Sequence, residues 1–184
     1  MPGVFVFLGV LFCGQSMSDF RLAPAPSLSV PASGGNGKKT MAFAGPRALP
    51  PGGDERILAA LAAQSRPGVR WALGCATGAD AFVLSALLPS EISAVFAAFG
   101  PDGYGACPVS SVSGVLAASS AGVPVKWWSG GVPPVSLSAR LAQRTRAIVG
   151  SATVGLVAYL VPGSRGTALA VSLARSRGLP VYFV

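Results

Sequence analysis

Two glycine-punctuated loops hold the residues best suited to chemistry in this chain, Gly74-Cys75-Ala76-Thr77-Gly78-Ala79-Asp80 and Pro162-Gly163-Ser164-Arg165-Gly166-Thr167. Each runs from an apolar strand-like segment into a helix-like one, an arrangement that turns backbone N–H groups toward an anion. A third turn, Gly45-Pro46-Arg47, closes an earlier apolar run. Placed together on the carboxyl edge of a parallel sheet, the three turns would form a ligand site, because open α/β folds bind there. Arg47 and Arg165 offer planar forks that match phosphate oxygens. Thr167 adds a hydroxyl and an N–H at a helix start. Gly45, Gly74, Thr77, Gly78, Ser164 and Gly166 complete the candidate loops. Asp80 has two readings, a hydrogen bond to a sugar hydroxyl or a carboxylate complementing the positive end of its own helix. Apart from Asp102, it is the only carboxylate placed for proton transfer near these loops.

Several chemistries are excluded by composition. The chain has no His, so a Ser-His-Asp triad, a Cys-His pair and an imidazole metal site are all ruled out. Cys13, Cys75 and Cys107 are odd in number and lack CxxC spacing, which argues against a disulfide framework or a structural zinc. They suit a reducing cytoplasm, and neither a metal nor a cofactor is expected. Cys75 precedes a helix start, where a thiolate nucleophile would be stabilised; the plainer reading is a small loop residue. Acids and bases are too sparse to favour catalysis.

The elements that position these loops follow from patterning. At 184 residues the chain fits one domain and a tail. Fourteen Lys and Arg against six Asp and Glu give a net charge of +8, which favours an anionic partner such as a nucleotide or nucleic acid. A coding bias toward Arg, Ala, Gly and Pro accounts for part of that charge. Residues 1–39 read as a flexible leader: Val4 to Phe12 is apolar but too short to cross a bilayer, no cation precedes it, and Ala23 to Lys39 is rich in Pro, Ser and Gly. Met17 and Met41 are alternative starts, and a membrane-surface tether is the other reading of this leader.

From Thr40 onward apolar runs alternate with helical stretches. Strands are expected at 40–44, 70–73, 93–99, 123–128, 154–161 and 180–184, and helices at 54–64, 79–88, 108–121, 135–149 and 166–177. The loop from Gly100 to Ala106 reads as mobile from its glycines. Strand runs without alternation suit a sheet buried on both faces. The expected fold class is therefore α/β, a three-layer Rossmann-like domain with a mostly parallel sheet over residues 40–184. In the helix from Val135, Leu137, Leu141 and Ile148 share a face, Arg144 projects close to it, Arg140 lies at its edge and Arg146 points away. Arg144 and then Arg140 are candidate ligand residues, the alternative being side chains that snorkel past the sheet rim.

Gly45-Pro46-Arg47, Gly74-x-Ala76-x-Gly78-Ala79-Asp80, the helix with Arg140 and Arg144, and Gly166-Thr167 before Gly178-Leu179-Pro180-Val181 together resemble the SLOG superfamily. That superfamily joins the Rossmann domain of DNA-processing protein A (DprA/Smf), the LOG phosphoribohydrolases and small nucleotide-sensing domains. The resemblance spans Met41 to Val184. It implies binding of a nucleotide or nucleotide-derived ligand at the glycine loops, as a sensor or binding module that could act as a homodimer. The alternative is single-stranded DNA binding of the DprA type, with base stacking on Trp127 or Trp128. By strand alternation, one of these would pack under a helix and the other reach the cleft. Phosphoribohydrolase activity comes third. The LOG pattern Pro-Gly-Gly-x-Gly-Thr-x-x-Glu is matched by Pro162 to Thr167, but Ala170 stands where its Glu belongs and Ser164 replaces a glycine.

Overall fold

The computed structural model describes residues 38–184, so the leader apart from its last two residues, and with it Cys13, lies outside the described residues. Among the described residues six strands form one sheet, β1 (Lys39–Ala44), β2 (Val69–Leu73), β3 (Ile92–Phe96), β4 (Val125–Lys126), β5 (Gly155–Ala158) and β6 (Val181–Phe183). Five helices connect them, α1 (Gly53–Gln64), α2 (Ala79–Ala86), α3 (Val112–Ser120), α4 (Leu137–Ser151) and α5 (Arg165–Ser176). Every strand pair is parallel and the order is β4-β3-β2-β1-β5-β6. The chain thus winds outward from β1 in one direction, returns through α4, and winds outward again from β5. Strand order reverses between β1 and β5, and a crevice opens there at the carboxyl edge.

The two faces of the sheet differ in side-chain size. Met41, Phe43, Trp71, Leu73, Val95 and Val157 point into a core shared with Ile57 and Leu61 of α1, Val83 of α2 and Val115 of α3. Their neighbours along the strands, Ala42, Ala72, Ala94 and Ala158, form a thin seam against Ile148 and Val149 of α4 and Ala170 and Ala174 of α5. This split is the period-two alternation of a pleated strand. Both sets are buried; on β1 and β2 the change in size, large against small, reveals the alternation, whereas β3 and β5 also place Phe96 and Leu156 on the second face. One irregularity interrupts the sheet. Trp71 pairs with Ile92 and Ala72 with Ala94, leaving Ser93 as an extra residue whose hydroxyl donates to Trp71 O at 2.9 Å.

Helix α4 lies across this seam, packing against β1, β2 and β3. Ser136 caps its start by accepting the Ala139 N–H at 3.4 Å. Its far end is satisfied by Arg177, whose guanidinium donates to the carbonyls of Val149 and Ala152 and so ties α5 to α4.

Several boundaries differ from the sequence expectation. β4 is two residues long rather than six, because Trp128 takes a left-handed conformation at φ +54° and turns the chain. α3 starts at Val112 rather than Pro108, because Ala76 forms an antiparallel bridge to Ser110 and holds that stretch against the second glycine loop. The loop from Gly100 to Ala106 is braced by hydrogen bonds: Gly100 N–H to Tyr104 O at 2.9 Å, Gly103 N–H to Gly100 O at 2.9 Å, and Ala106 N–H to Gly103 O at 3.1 Å. Among the described residues no helix is long and apolar enough to cross a membrane.

Candidate phosphate-binding cleft

A cleft of about 690 Å³ occupies the switch point. One wall is the turn after β1, from Gly45 to Ala48; the opposite wall is the turn after β5 with the first residues of α5; the third is the inner face of α4. Arg47, Arg144 and Arg165 bring three cations to its lining against the single acid Asp80. Arg47 and Arg165 are exposed at the rim, whereas Arg144 and Asp80 are buried at the floor.

The first two glycine loops are knitted to each other. Ala79 N–H donates to Pro46 O at 2.9 Å and Thr77 Oγ1 donates to Arg47 O at 3.3 Å. Gly45 has no room for a side chain because the Ala79 methyl group occupies it, and Gly78, at φ +72°, lies against the Arg47 carbonyl. Two further N–H groups of the second loop are also engaged inside the protein, Ala76 with Asp80 Oδ2 at 3.2 Å and Thr77 with Val109 O at 2.9 Å. Gly74 makes way for Asp80, whose Oδ2 occupies the place a Cβ would take. Of this loop only Ala76 and Asp80 reach the cleft; Gly74, Thr77 and Gly78 stand behind it.

The third loop is different. Ser164 braces its own turn, donating to Val161 O at 2.6 Å and accepting Val161 N–H at 3.3 Å. That brace presents the first turn of α5 to the cleft. Gly166 and Thr167 sit where helical N–H groups have no intrahelical acceptor. The Thr167 hydroxyl is buried, with the residue only 2% exposed, and has no hydrogen-bond partner among the described residues. An unpaired buried hydroxyl costs roughly 1–3 kcal/mol. Ala170, at the place of the LOG glutamate, is fully buried one turn further along and lines the same cleft.

The three arginines of α4 do different work. Arg144 Nη1 donates to Cys75 Sγ at 3.1 Å, and the Ala98 N–H reaches the same sulfur at 3.4 Å. Arg144 Nε is buried without a partner. Arg140 lies outside the cleft lining; its Nη1 donates to Ala98 O at 2.8 Å and Gly105 O at 3.0 Å, and so holds the loop after β3. Arg146 is exposed. Sequence reasoning placed Leu137, Leu141 and Ile148 on one face of α4; that face is also the wall of the cleft, together with Ser138, Ala142 and Thr145. The partial exposure of Leu137 marks the transition from core to wall.

Burial pushes the Asp80 carboxyl above the usual aspartate range, against the opposing pull of Arg144, the Ala76 N–H and Arg47. A raised carboxylate value means that the native state holds its proton more tightly than the unfolded chain. Stability is therefore highest below the ordinary aspartate value of about 3.9 and declines as pH rises from there through the raised value. Asp80→Asn is expected to raise the thermal midpoint at neutral pH and to leave it unchanged near pH ~3, where wild-type Asp80 is protonated in both states. Equal midpoints across that range would contradict the assignment.

No protein-family model and no curated protein matches the sequence. Among solved structures, DNA processing protein A from Helicobacter pylori, described for its single-stranded DNA binding mode, superimposes with a TM-score of 0.61 at 17% identity. The fold is DprA-like. The match covers 79% of this chain and 65% of that protein, so the chain spans about two thirds of its length. At this identity the likeness concerns the arrangement of the sheet and its helices. The cleft itself rests on the geometry above.

Proposed function

We propose that the cleft binds phosphate groups of single-stranded DNA, with the strand held by its backbone along the carboxyl edge of the sheet. The observation that carries this reading is the Thr167 hydroxyl, buried and without a partner at the start of α5, in a cleft whose rim holds Arg47 and Arg165. A phosphate oxygen there accepts from Thr167 Oγ1 and from the free N–H groups of the first turn, and the helix dipole adds to the attraction. The charge of +8 supports binding of a polyanion, and the H. pylori protein with the same fold binds single-stranded DNA. Kinship with the SLOG superfamily and residence in a reducing cytoplasm, where Cys75 and Cys107 stay free, belong to the same proposal.

A second reading, a mononucleotide sensor, is favoured by one observation. The volume of about 690 Å³ falls within the range of roughly 300–1,000 Å³ usual for small-molecule sites.

Thr167→Val tests the phosphate site, since valine keeps the shape and removes only the hydroxyl. Anisotropy titration with a labelled oligothymidylate is expected to show affinity reduced about 10-fold, the loss of one hydrogen bond to a charged group. The same variant should unfold about 1 kcal/mol later than wild type, because the unpaired hydroxyl is gone. Unchanged affinity removes Thr167 from the site. Displacement of the oligonucleotide by a mononucleotide, at concentrations where inorganic phosphate has no effect, would put the sensor reading first.

A further inference from the structure

A second feature of the carboxyl edge lies beyond the cleft, where the loops after β3 and β4 meet. Trp128 is half-buried and Tyr104 is 65% exposed; their rings meet edge to face with centroids 6.0 Å apart and planes at 68°. The Arg140 guanidinium lies 6.0 Å from the centre of the Trp128 ring. The loop is shaped around this ring. A Cβ on Gly100 would come within 2.8 Å of Trp128 Cζ2, and one on Gly105 within 2.7 Å of Cη2 and Cζ3. Trp128 itself is the one non-glycine residue with positive φ among the described residues, and such strain is tolerated where the surroundings impose it. Tyr104 is fixed by its backbone, its N–H donating to Asp102 Oδ1 at 3.0 Å and its carbonyl accepting from Gly100. Trp127, by contrast, turns inward against Phe99.

We propose that Tyr104 and Trp128 form a stacking shelf for a base of the bound single strand. An exposed aromatic ring whose backbone is already fixed offers a base a flat apolar face at low entropic cost. The cation beside it, Arg140, is buried and braces the loop that carries Tyr104, donating to Ala98 O and Gly105 O. The shelf is also within reach. Arg140 and Arg144 are one turn of α4 apart, about 6 Å, and the second of them lines the cleft. From the β1–β5 crevice to the β3–β4 loops is two or three strand spacings, roughly 10–15 Å, a span for a short oligonucleotide and not for one mononucleotide. The inference rests on the phosphate-cleft reading, and adds where the bases go.

The test compares an oligothymidylate with an abasic oligonucleotide of the same phosphate count, using the full chain. Wild type is expected to bind the base-bearing strand about 10-fold more tightly, the yield of one stacked base, and to show quenched tryptophan fluorescence. Tyr104→Ala should remove most of that preference and leave the abasic affinity unchanged, whereas Tyr104→Phe should retain it. Arg165→Ala should weaken both strands alike. Equal affinities for the two strands, or a Tyr104→Ala loss shared by both, overturns the shelf and leaves the cleft standing. A base preference that depends on Tyr104, with affinities for both strands that Arg165→Ala leaves unchanged, upholds the shelf and overturns the cleft. Binding of neither strand overturns both.

Discussion

Gly78→Val is expected to cost roughly 4 kcal/mol, or to yield no folded protein, although position 78 stands behind the cleft. Two effects add. Gly78 sits at φ +72°, where a β-branched residue bears strain of about 1–3 kcal/mol. Its new Cβ would also overlap the backbone carbonyl of Arg47, which cannot rotate away as a side chain could, and overpacking of this kind costs about 1–3 kcal/mol. Against a typical total stability of about 5–15 kcal/mol the sum is a large fraction. Gly166→Ala is the matching control. Nothing lies within 4 Å of a Cβ there and the residue is helical, so the substitution should stabilise the fold by about 0.5–1 kcal/mol. Chemical denaturation of the two variants beside wild type measures both effects. A mild Gly78→Val phenotype would show that the first two loops are less tightly joined than their contacts indicate.

The second large effect concerns binding. Arg47→Ala and Arg165→Ala are each expected to lower affinity for single-stranded DNA about 10-fold, and the double variant about 100-fold, if each guanidinium makes one phosphate contact. Both residues are exposed, so neither change should move stability by more than about 0.5 kcal/mol. Salt dependence identifies the contact type. Each arginine removed should make the plot of log affinity against log salt shallower by about 0.7, the increment for one neutralised phosphate on a single strand. Arg146→Ala, exposed on α4 and outside the cleft lining, should leave affinity and slope unchanged. Affinity that falls without any change of slope would mean that the arginines act on the protein and not on phosphate.

The layers and the turns at the carboxyl edge were legible because their signals are local. Apolar runs, helix-spaced leucines and the glycine turns between them place β1, β2, β5 and α1 within a few residues of where they lie. What was not legible depends on partners distant in sequence. The early start assigned to α3 fails because Ser110 pairs with Ala76, and the long β4 fails because Trp128 turns into a loop made some 25 residues earlier. The glycines show the limit most clearly. Sequence signals that a Cβ is absent at Gly74, Gly78 and Gly105, and a phosphate is one reason for such an absence. In the structure the vacated space belongs to the Asp80 carboxyl, the Arg47 carbonyl and the Trp128 ring. The loop after β5 keeps unpaired donors turned toward the cleft. The arginines of α4 divide in the same way: their spacing was readable, but that Arg140 braces a loop while Arg144 lines the floor depends on carbonyls and a sulfur from other strands.

The seam of methyl groups beneath α4 has a further meaning for the site. Ala42, Ala72 and Ala94 act as a spacer between a helix and a sheet, and the inner face of that helix is one jaw of the cleft. The opening between the jaws is thus gauged from below, by side chains that no ligand touches. A larger residue in the seam would lift one jaw and carry Arg144 away with it, so the size of three buried side chains also sets the width of what can enter.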